Sequence, residues 1–261
     1  MTGIILCEGL TDQVLLSKYF CGRFGFAFDL KSTQNAIKLD AVEESSVYGR
    51  GEEEFLYISQ TGGKSNLSRA LAGILEMNRL DAGVFFDYIA VITDRDSDKE
   101  AADLTEDLQR VLKNYGSMKN EQTSDWYTLN METKGFQEKK KVRFLTVFIP
   151  LDHPGALETF LLESLSKKKE NQYIAQESVK FVNSLSHAYD AKEEAFPQGV
   201  LSSRRLRIKA PLAVFFGVTN PEGTFKRFED FLNAVDWSSY EKIHQGFQSF
   251  DCVMNGKIEE P

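Results

Sequence analysis

Acidic side chains follow two of the apolar runs in this sequence. The segment VITDRDSDKE (91–100) places Asp94, Asp96 and Asp98 after one run, and Glu8 follows another, IILC. Three carboxylates at a spacing of two repel one another unless a cation lies among them. In an extended chain, residues i and i+2 point to the same face, so Asp94 and Asp96 can reach one point in space. Because hard divalent cations prefer oxygen ligands, the pattern indicates a metal site; the alternative is a solvated turn that caps the next helix.

Strands and helices must alternate to bring these acids together. The run GIILCEG (3–9) predicts a buried parallel strand, and TDQVLLSKYFCGRF (11–24) predicts a helix capped by Thr11 or Asp12. The other predicted elements are a weak strand at 26–33, strands at 55–59, 88–98 and 142–152, and helices from about 65 and at 103–116, 155–168, 176–189 and within 226–250. Segment 34–53 reads as an irregular insertion, and 117–141 as a surface loop that can hold a short hairpin.

Repeated strand–helix units predict an α/β fold. The expected architecture is a mostly parallel, four-stranded sheet flanked by helices over residues 1–152. A mainly helical C-terminal extension, residues 153–261, is expected to pack on it. In such sheets the functional crevice lies at the carboxyl ends of the strands. Glu8, the Gly-Gly-Lys turn that ends at Lys64, and Asp94 all fall there.

Composition narrows the class of protein. The 261 residues are 42% hydrophobic and 27% charged, which are ordinary values for a globular chain, and the formal net charge is −8. An acidic chain lacks the overall basic footprint of a sequence-independent nucleic-acid binder, although a local patch or a bound metal can reverse the field in a cleft. Three scattered cysteines favour neither a disulfide framework nor a zinc site. No signal peptide or membrane-length apolar run is visible, so a cytoplasmic protein without a membrane partner is expected.

Two motifs together resemble the Toprim domain. IILCEGLTD followed downstream by VITDRDSD is similar to the Toprim pattern, in which an apolar strand ends in Glu-Gly and a later strand ends in Asp-x-Asp. Glu8, Asp94 and Asp96 match those positions. Asp12 matches a second acidic position of the branch allied to OLD-family nucleases, and SQTGGKSNLSRAL, with Lys64, resembles the turn that opens a helix there. This resemblance covers about residues 1–152.

Two later motifs extend the resemblance to stand-alone Toprim-like proteins of that branch. HPGALETFLLESL (153–165) is similar to a Pro-Gly-x-Leu-Glu element, which makes Glu158 a late acid of the site. RRLRIKAPLAVFFG (204–217) resembles a late lysine-containing helix, which makes Lys209 the corresponding cation. The overlapping segment SSRRLRIK (202–209) is a local basic patch that can contact phosphate, or else a solvated helix face.

The resemblance implies metal-dependent cleavage of phosphodiesters. The implied ligands of Mg²⁺ or Mn²⁺ are Glu8, Asp12, Asp94, Asp96 and Glu158. Glu8 is expected to act as ligand or acid/base, with Lys64 or Lys209 stabilising the developing phosphate charge. DNA or RNA is the implied partner, together with a separately encoded ATPase. TGGKSN lacks the first glycine of a P-loop, and the oligomeric state is left open.

Three functions remain open from the sequence. The first is nuclease-like hydrolysis, since no large strand-passing domain for topoisomerase chemistry and no template-binding module of a primase can be placed. The second is a non-catalytic Toprim-like protein that uses the acidic crevice for a regulatory cation or a nucleotide. The third is a response-regulator-like or NTP-binding α/β protein, which also carries acids at strand ends.

Overall fold

The fold is built on one sheet with helices on both faces. The computed structural model describes residues 1–36, 38–81, 83–120, 125–134, 139–192, 196, 199–222, 230, 232–233 and 235–255. Strands in these residues, in chain order, are β1 Thr2–Cys7, β2 Ala27–Phe28, β3 Glu44–Arg50, β4 Glu54–Gln60, β5 Tyr88–Asp94, β6 Gly116–Asn120, β7 Tyr127–Met131 and β8 Lys140–Ile149.

Helices follow each of the first parallel strands and then dominate the second half of the chain. In chain order they are α1 Leu10–Phe24, α2 Leu30–Gln34, α3 Leu67–Leu80, α4 Asp98–Lys113, α5 Leu157–Leu165, α6 Lys169–Ala191, α7 Arg204–Thr219, α8 Glu241–Phe247 and α9 Asp251–Met254. The predicted helical character of 226–250 is confirmed at α8, whereas 226–229, 231 and 234 lie outside the described residues.

The sheet has the order β2-β3-β4-β1-β5-β8-β7-β6. The four inner strands β4, β1, β5 and β8 are mutually parallel, and they are the four that the sequence predicts. Antiparallel pairs on both sides add β3 and β2 at one margin and β7 and β6 at the other. The α/β class is therefore confirmed, but a four-stranded, mostly parallel sheet is wrong for the described residues.

The missed strands are polar, and they lie toward the margins of the sheet. β3 (ESSVYGR) occupies the segment predicted as an irregular insertion, and β6 (GSMKN) and β7 (YTLNM) occupy the segment predicted as a loop with a short hairpin. β3 buries only Val47 and Tyr48, β7 only Leu129 and Met131, and β6 buries no residue, so these sequences need no continuous apolar run. A weak strand is predicted at 26–33, but in the structure only the two residues of β2 are extended there, and α2 follows them.

Alternate residues of the inner strands supply two separate cores. Ile5 and Cys7 of β1 join the cluster on the α1 face, which the helices of the second half of the chain also cover. Ile4 and Leu6 join the cluster beneath α3 and α4 on the other face. Burial on both faces explains why the inner strands read as continuous apolar runs. The described helices contain none with the length and hydropathy needed to cross a bilayer.

Candidate active site

A crevice of about 440 Å³ opens at the carboxyl ends of the parallel strands. β4, β1 and β5 are neighbours in the sheet, so the residues that follow them meet at this edge. The crevice walls also include the starts of α1, α5 and α7. Its chemically active lining residues are Glu8, Asp12, Asp94, Asp96, Glu158, Arg204, Arg205 and Lys209.

Glu8 is held by the neighbouring strand β5. The backbone N–H of Asp94 donates to Glu8 Oε1 at 3.0 Å, and the Thr93 hydroxyl donates to the same oxygen. Leu6 pairs with Val91 in the parallel register, which brings the residue two positions after Leu6 level with Thr93. The register of the sheet therefore fixes the carboxylate of Glu8 beside Asp94, as the sequence pattern predicts.

Asp94 links β5 to the start of α5. The backbone N–H of Leu157 donates to Asp94 Oδ1 at 2.8 Å, and α5 begins at that residue. Burial first, and then the negative charges of Asp12 and Glu8, together raise the pKa of Asp94 to about 8, although the hydrogen bond from Leu157 acts in the opposite direction. This aspartate therefore resists ionisation unless positive charge is added.

Asp12 lies in the first turn of α1 and also faces the crevice. Its Oδ2 accepts a hydrogen bond from the backbone N–H of Gly9 at 2.9 Å, so it satisfies the start of the helix from within the first turn, and the N-cap position itself is Gly9. Loss of hydration, and after it the charge of Glu8, raises the pKa of Asp12 to about 7. Two neighbouring carboxyls thus titrate close to neutral pH.

Lys64 reaches into the acids from the turn after β4. Gly62 and Gly63 have φ values of 71° and 135°, a backbone that favours glycine, and a short 3₁₀ turn from Lys64 to Asn66 precedes α3. The Lys64 Nζ donates to the backbone oxygen of Asp94 at 2.8 Å and to Asp96 Oδ2, and it lies 3.9 Å from Glu8 Oε1. The lysine therefore occupies the position between two of the predicted ligands.

The side chains of Asp96 and Asp98, which follow β5, point in different directions. Asp96 also pairs with Arg204 of α7, whose Nη1 lies 3.1 Å from Asp96 Oδ1. Asp98 points to solvent, with 81% of its side chain exposed, and pairs with Arg95. It does not cap α4: the Ser97 hydroxyl accepts from the Glu100 N–H, and Asp98 is the first helical residue.

Glu158 and Lys209 form an ion pair between α5 and α7. The Glu158 side chain is only 6% exposed, and its Oε1 accepts from the Lys209 ammonium. The other carboxylate oxygen, Oε2, is buried and has no hydrogen-bond partner among the described residues. A buried, half-satisfied carboxylate is costly, which indicates that this oxygen suits a ligand.

All the predicted site residues thus gather at one edge of the sheet. The five predicted carboxylates lie there with two lysines and Arg204, and the pKa values of Asp12 and Asp94 are raised first by burial and then by the negative charges of neighbouring carboxylates. In the arrangement described, however, no three Asp, Glu, His or Cys side chains stand close enough together to hold a metal ion. Sequence reasoning missed the contributions of Thr93 and of the Leu157 N–H. The Thr93 hydroxyl follows from the strand register, but a backbone donor leaves no signal in a sequence.

Comparisons with known proteins add a family and one structural neighbour. The neighbour is described as the crystal structure of hypothetical protein PH0156 from Pyrococcus horikoshii OT3; it shares 15% sequence identity with a TM-score of 0.45, covering 95% of this chain and 98% of that one. No curated protein sequence matches the chain. A family described as "Protein of unknown function (DUF3226)" matches residues 2–238, and the chain belongs to that family.

Proposed function

We propose that the crevice binds a divalent cation, Mg²⁺ or Mn²⁺, and hydrolyses phosphodiester bonds of DNA or RNA. The observation that carries the proposal is the gathering of Glu8, Asp12, Asp94, Asp96 and Glu158, which lie as far as 150 positions apart in the sequence, around one cavity at the carboxyl edge of the sheet. We propose in addition that the four inner strands form a Toprim-like core. Its partner would be nucleic acid, with a separately encoded ATPase as a further prediction.

The donor set fits a hard cation in chemical type. Carboxylate oxygens are the ligands that Mg²⁺ and Mn²⁺ prefer, and the buried Oε2 of Glu158 supplies one without a partner. Burial, and after it the charges of neighbouring carboxylates, raises the pKa values of Asp12 and Asp94, and a bound cation would favour their ionised forms. Lys64 lies between Glu8 and Asp96, so it must give way for both to contact one ion.

Different side chains of the crevice would have different roles in hydrolysis. When bound, the cation would lower the pKa of a water and neutralise charge on the phosphoryl oxygens. Lys64 and Lys209 lie at the acids, where an ammonium displaced from its carboxylate can contact a substrate phosphate. Arg204 and Arg205 line the mouth and favour a phosphate backbone.

The test is cleavage of single- and double-stranded DNA and RNA with Mg²⁺ or Mn²⁺. Asp94→Asn keeps the acceptor for the Leu157 N–H but removes the charge, so we expect a loss of activity of about 100-fold or more. Asp98→Asn is the matched control, because this exposed neighbour points away from the crevice, and it is expected to retain activity. The nuclease proposal would be rejected if the protein cleaved no substrate with either metal, or if both variants cleaved equally well.

One observation favours a non-catalytic alternative. Asp96 and Glu158 are already neutralised by Lys64, Arg204 and Lys209, so the crevice resembles a closed ion-pair network as well as a metal site. In that case the crevice would bind a cation or nucleotide without breaking a bond. Calorimetric binding of Mg²⁺ or a nucleotide that Asp94→Asn abolishes, with no product in the cleavage assay, would select this function.

A further inference from the structure

Within the part of the chain that the structure describes, the outer edge of β8 lacks a partner strand near its carboxyl end. β7 pairs with β8 as far as Phe144, which lies opposite Tyr127. β5 pairs along the other edge of β8 as far as Ile149. Among the described residues, the segment from Leu145 to Ile149 is therefore covered on one edge and open on the other.

Hydrogen-bond directions identify which groups face the open edge. The Arg143 N–H donates to the Asp87 carbonyl at 2.9 Å, and the Ile149 carbonyl accepts from the Arg95 N–H at 2.7 Å, so both point toward β5. Successive residues of a strand direct their N–H and C=O groups to alternate edges. Thr146 and Phe148 consequently direct theirs outward, and no described residue supplies a hydrogen bond to them.

A cavity of about 430 Å³ lies along this open edge, and Thr146 and Phe148 line it. Gln109 of α4 stands on one side of the sheet, and Gln245 of α8 with Gln248 stands on the other. The cavity is therefore a slot between two helical layers, with a strand edge at its base. Thr146 and Phe148 are only half-buried, and the unpaired main-chain groups of such a strand edge can pair with another main chain, which makes this slot suited to an extended peptide.

Two contacts hold residues 125 and 126 away from the open edge of β8. Trp126 is fully buried, and its indole N–H donates to the Ser249 carbonyl at 2.7 Å. The Ser249 hydroxyl donates to the Asp125 carboxylate at 2.5 Å. Continuing the β7 register would place Asp125 opposite Thr146, but these contacts hold residues 125 and 126 against the C-terminal segment instead of on β8.

Charge at the slot favours a carboxylate. Arg95 lines the cavity; its Nε donates to the Pro150 carbonyl at 3.0 Å and its Nη1 lies 3.3 Å from Asp98, which leaves Nη2 without a hydrogen bond among the described residues. The acid in the slot, Asp125, is engaged by Ser249. The walls otherwise carry uncharged amides, so the slot lacks the row of cations that a phosphate backbone requires.

We propose that the slot binds an extended peptide segment of a partner protein as a strand added to β8, with a carboxylate of that peptide on Arg95. Strand addition draws its affinity from main-chain hydrogen bonds, and alternate side chains of the peptide would face Gln109 on one wall and Gln245 and Gln248 on the other. The slot is separate from the acidic crevice, so this inference stands whether or not the crevice cleaves nucleic acid.

The test begins with random octapeptides displayed on phage and selected on the whole protein. A selected peptide is then synthesised and its Kd measured by fluorescence anisotropy. Methylation of the peptide amides that face β8 is expected to weaken binding about tenfold or more, because two main-chain hydrogen bonds are lost. Methylation at the intervening positions should leave the Kd within about twofold, since those amides face away.

Variants locate the peptide in the slot. Gln109→Trp fills one wall and should abolish binding, whereas Glu106→Trp, exposed on the same helix and outside the slot, should not. Arg95→Gln should remove the preference for an acidic peptide. Hydrogen exchange of the Thr146 and Phe148 amides in the wild-type protein should slow when the peptide binds. This measurement needs no variant, so misfolding of a variant cannot explain it.

Several results would overturn the inference. They are the failure of the selection to yield any peptide sensitive to Gln109→Trp, an equal effect of methylation at both sets of amides, and unchanged exchange at Thr146 and Phe148. Self-association of the protein that Gln109→Trp abolishes would also overturn it, because a second copy would then be the occupant.

Discussion

The Glu158–Lys209 pair gives a prediction whose magnitude follows from burial. Glu158 is 6% exposed and Lys209 is 36% exposed, so the two ends of the pair differ in their access to water. Lys209→Met leaves a buried carboxylate without its partner. Glu158→Gln leaves an ammonium that can turn to solvent. We therefore expect the lysine variant to be much the less stable of the two.

The expected cost of Lys209→Met is about 2–3 kcal/mol. Removing one partner of a fully buried pair costs about 3–5 kcal/mol, and the exposure of Lys209 to water reduces that figure. Glu158→Gln should cost no more than about 1 kcal/mol. For a domain of this size each kcal/mol moves Tm by about 2–4 °C, so Lys209→Met should lower Tm by roughly 4–12 °C.

The assay is thermal and urea unfolding of both variants and of the double variant Glu158→Gln/Lys209→Met. The double variant should recover most of the stability lost in Lys209→Met, because no buried charge remains unpaired. Saturating Mg²⁺ should also raise the Tm of Lys209→Met more than that of the wild type, if the cation takes over the charge of the lysine. Equal destabilisation by the two single variants, without recovery in the double variant, would refute the reasoning.

Two further predictions concern pH and packing. The pKa values of Asp94 and Asp12 are about 8 and about 7 in the folded protein, above the unfolded value near 4. The free energy of unfolding should therefore fall as pH rises from about 4 to about 8. Mg²⁺ should restore more of the lost stability at about pH 8 than at about pH 4, as measured by thermal melts with and without the ion. A flat profile would contradict these shifts. Gly3→Ala would place Cβ 1.8 Å from the Tyr88 ring and should cost about 3 kcal/mol or more in urea unfolding, whereas Gly49→Ala, with no atom within 4 Å, serves as the tolerant control.

Burial decided which strands the sequence could predict. β1, β4, β5 and β8 are buried on both faces by α1 and the later helices on one side and α3 and α4 on the other, so their apolar runs are unambiguous. β3, β6 and β7 lie toward the margins and mix serine, lysine and asparagine with few apolar residues. Their positions follow from pairing with the inner strands, which a local pattern does not encode.

The site was predictable in two different ways. Glu8 and Asp94 follow from strand ends in a parallel sheet, a physical rule that needs no relative. Glu158 and Lys209 came from the Toprim resemblance, since nothing in their local sequence fixes where α5 and α7 pack. The contact of Arg204 with Asp96 spans 108 positions, and only the tertiary arrangement of α7 creates it.

The core on the α1 face also has a consequence for synthesis on the ribosome. Tyr19 and Phe20 of α1 pack against Phe247 and Phe250, residues made more than two hundred positions later. A nascent chain that has extruded the parallel strands would therefore carry an uncovered aromatic surface until the last helices emerge. Exposed aromatic surface of this kind favours aggregation, and the core on the α1 face would be completed only after most of the chain has left the exit tunnel.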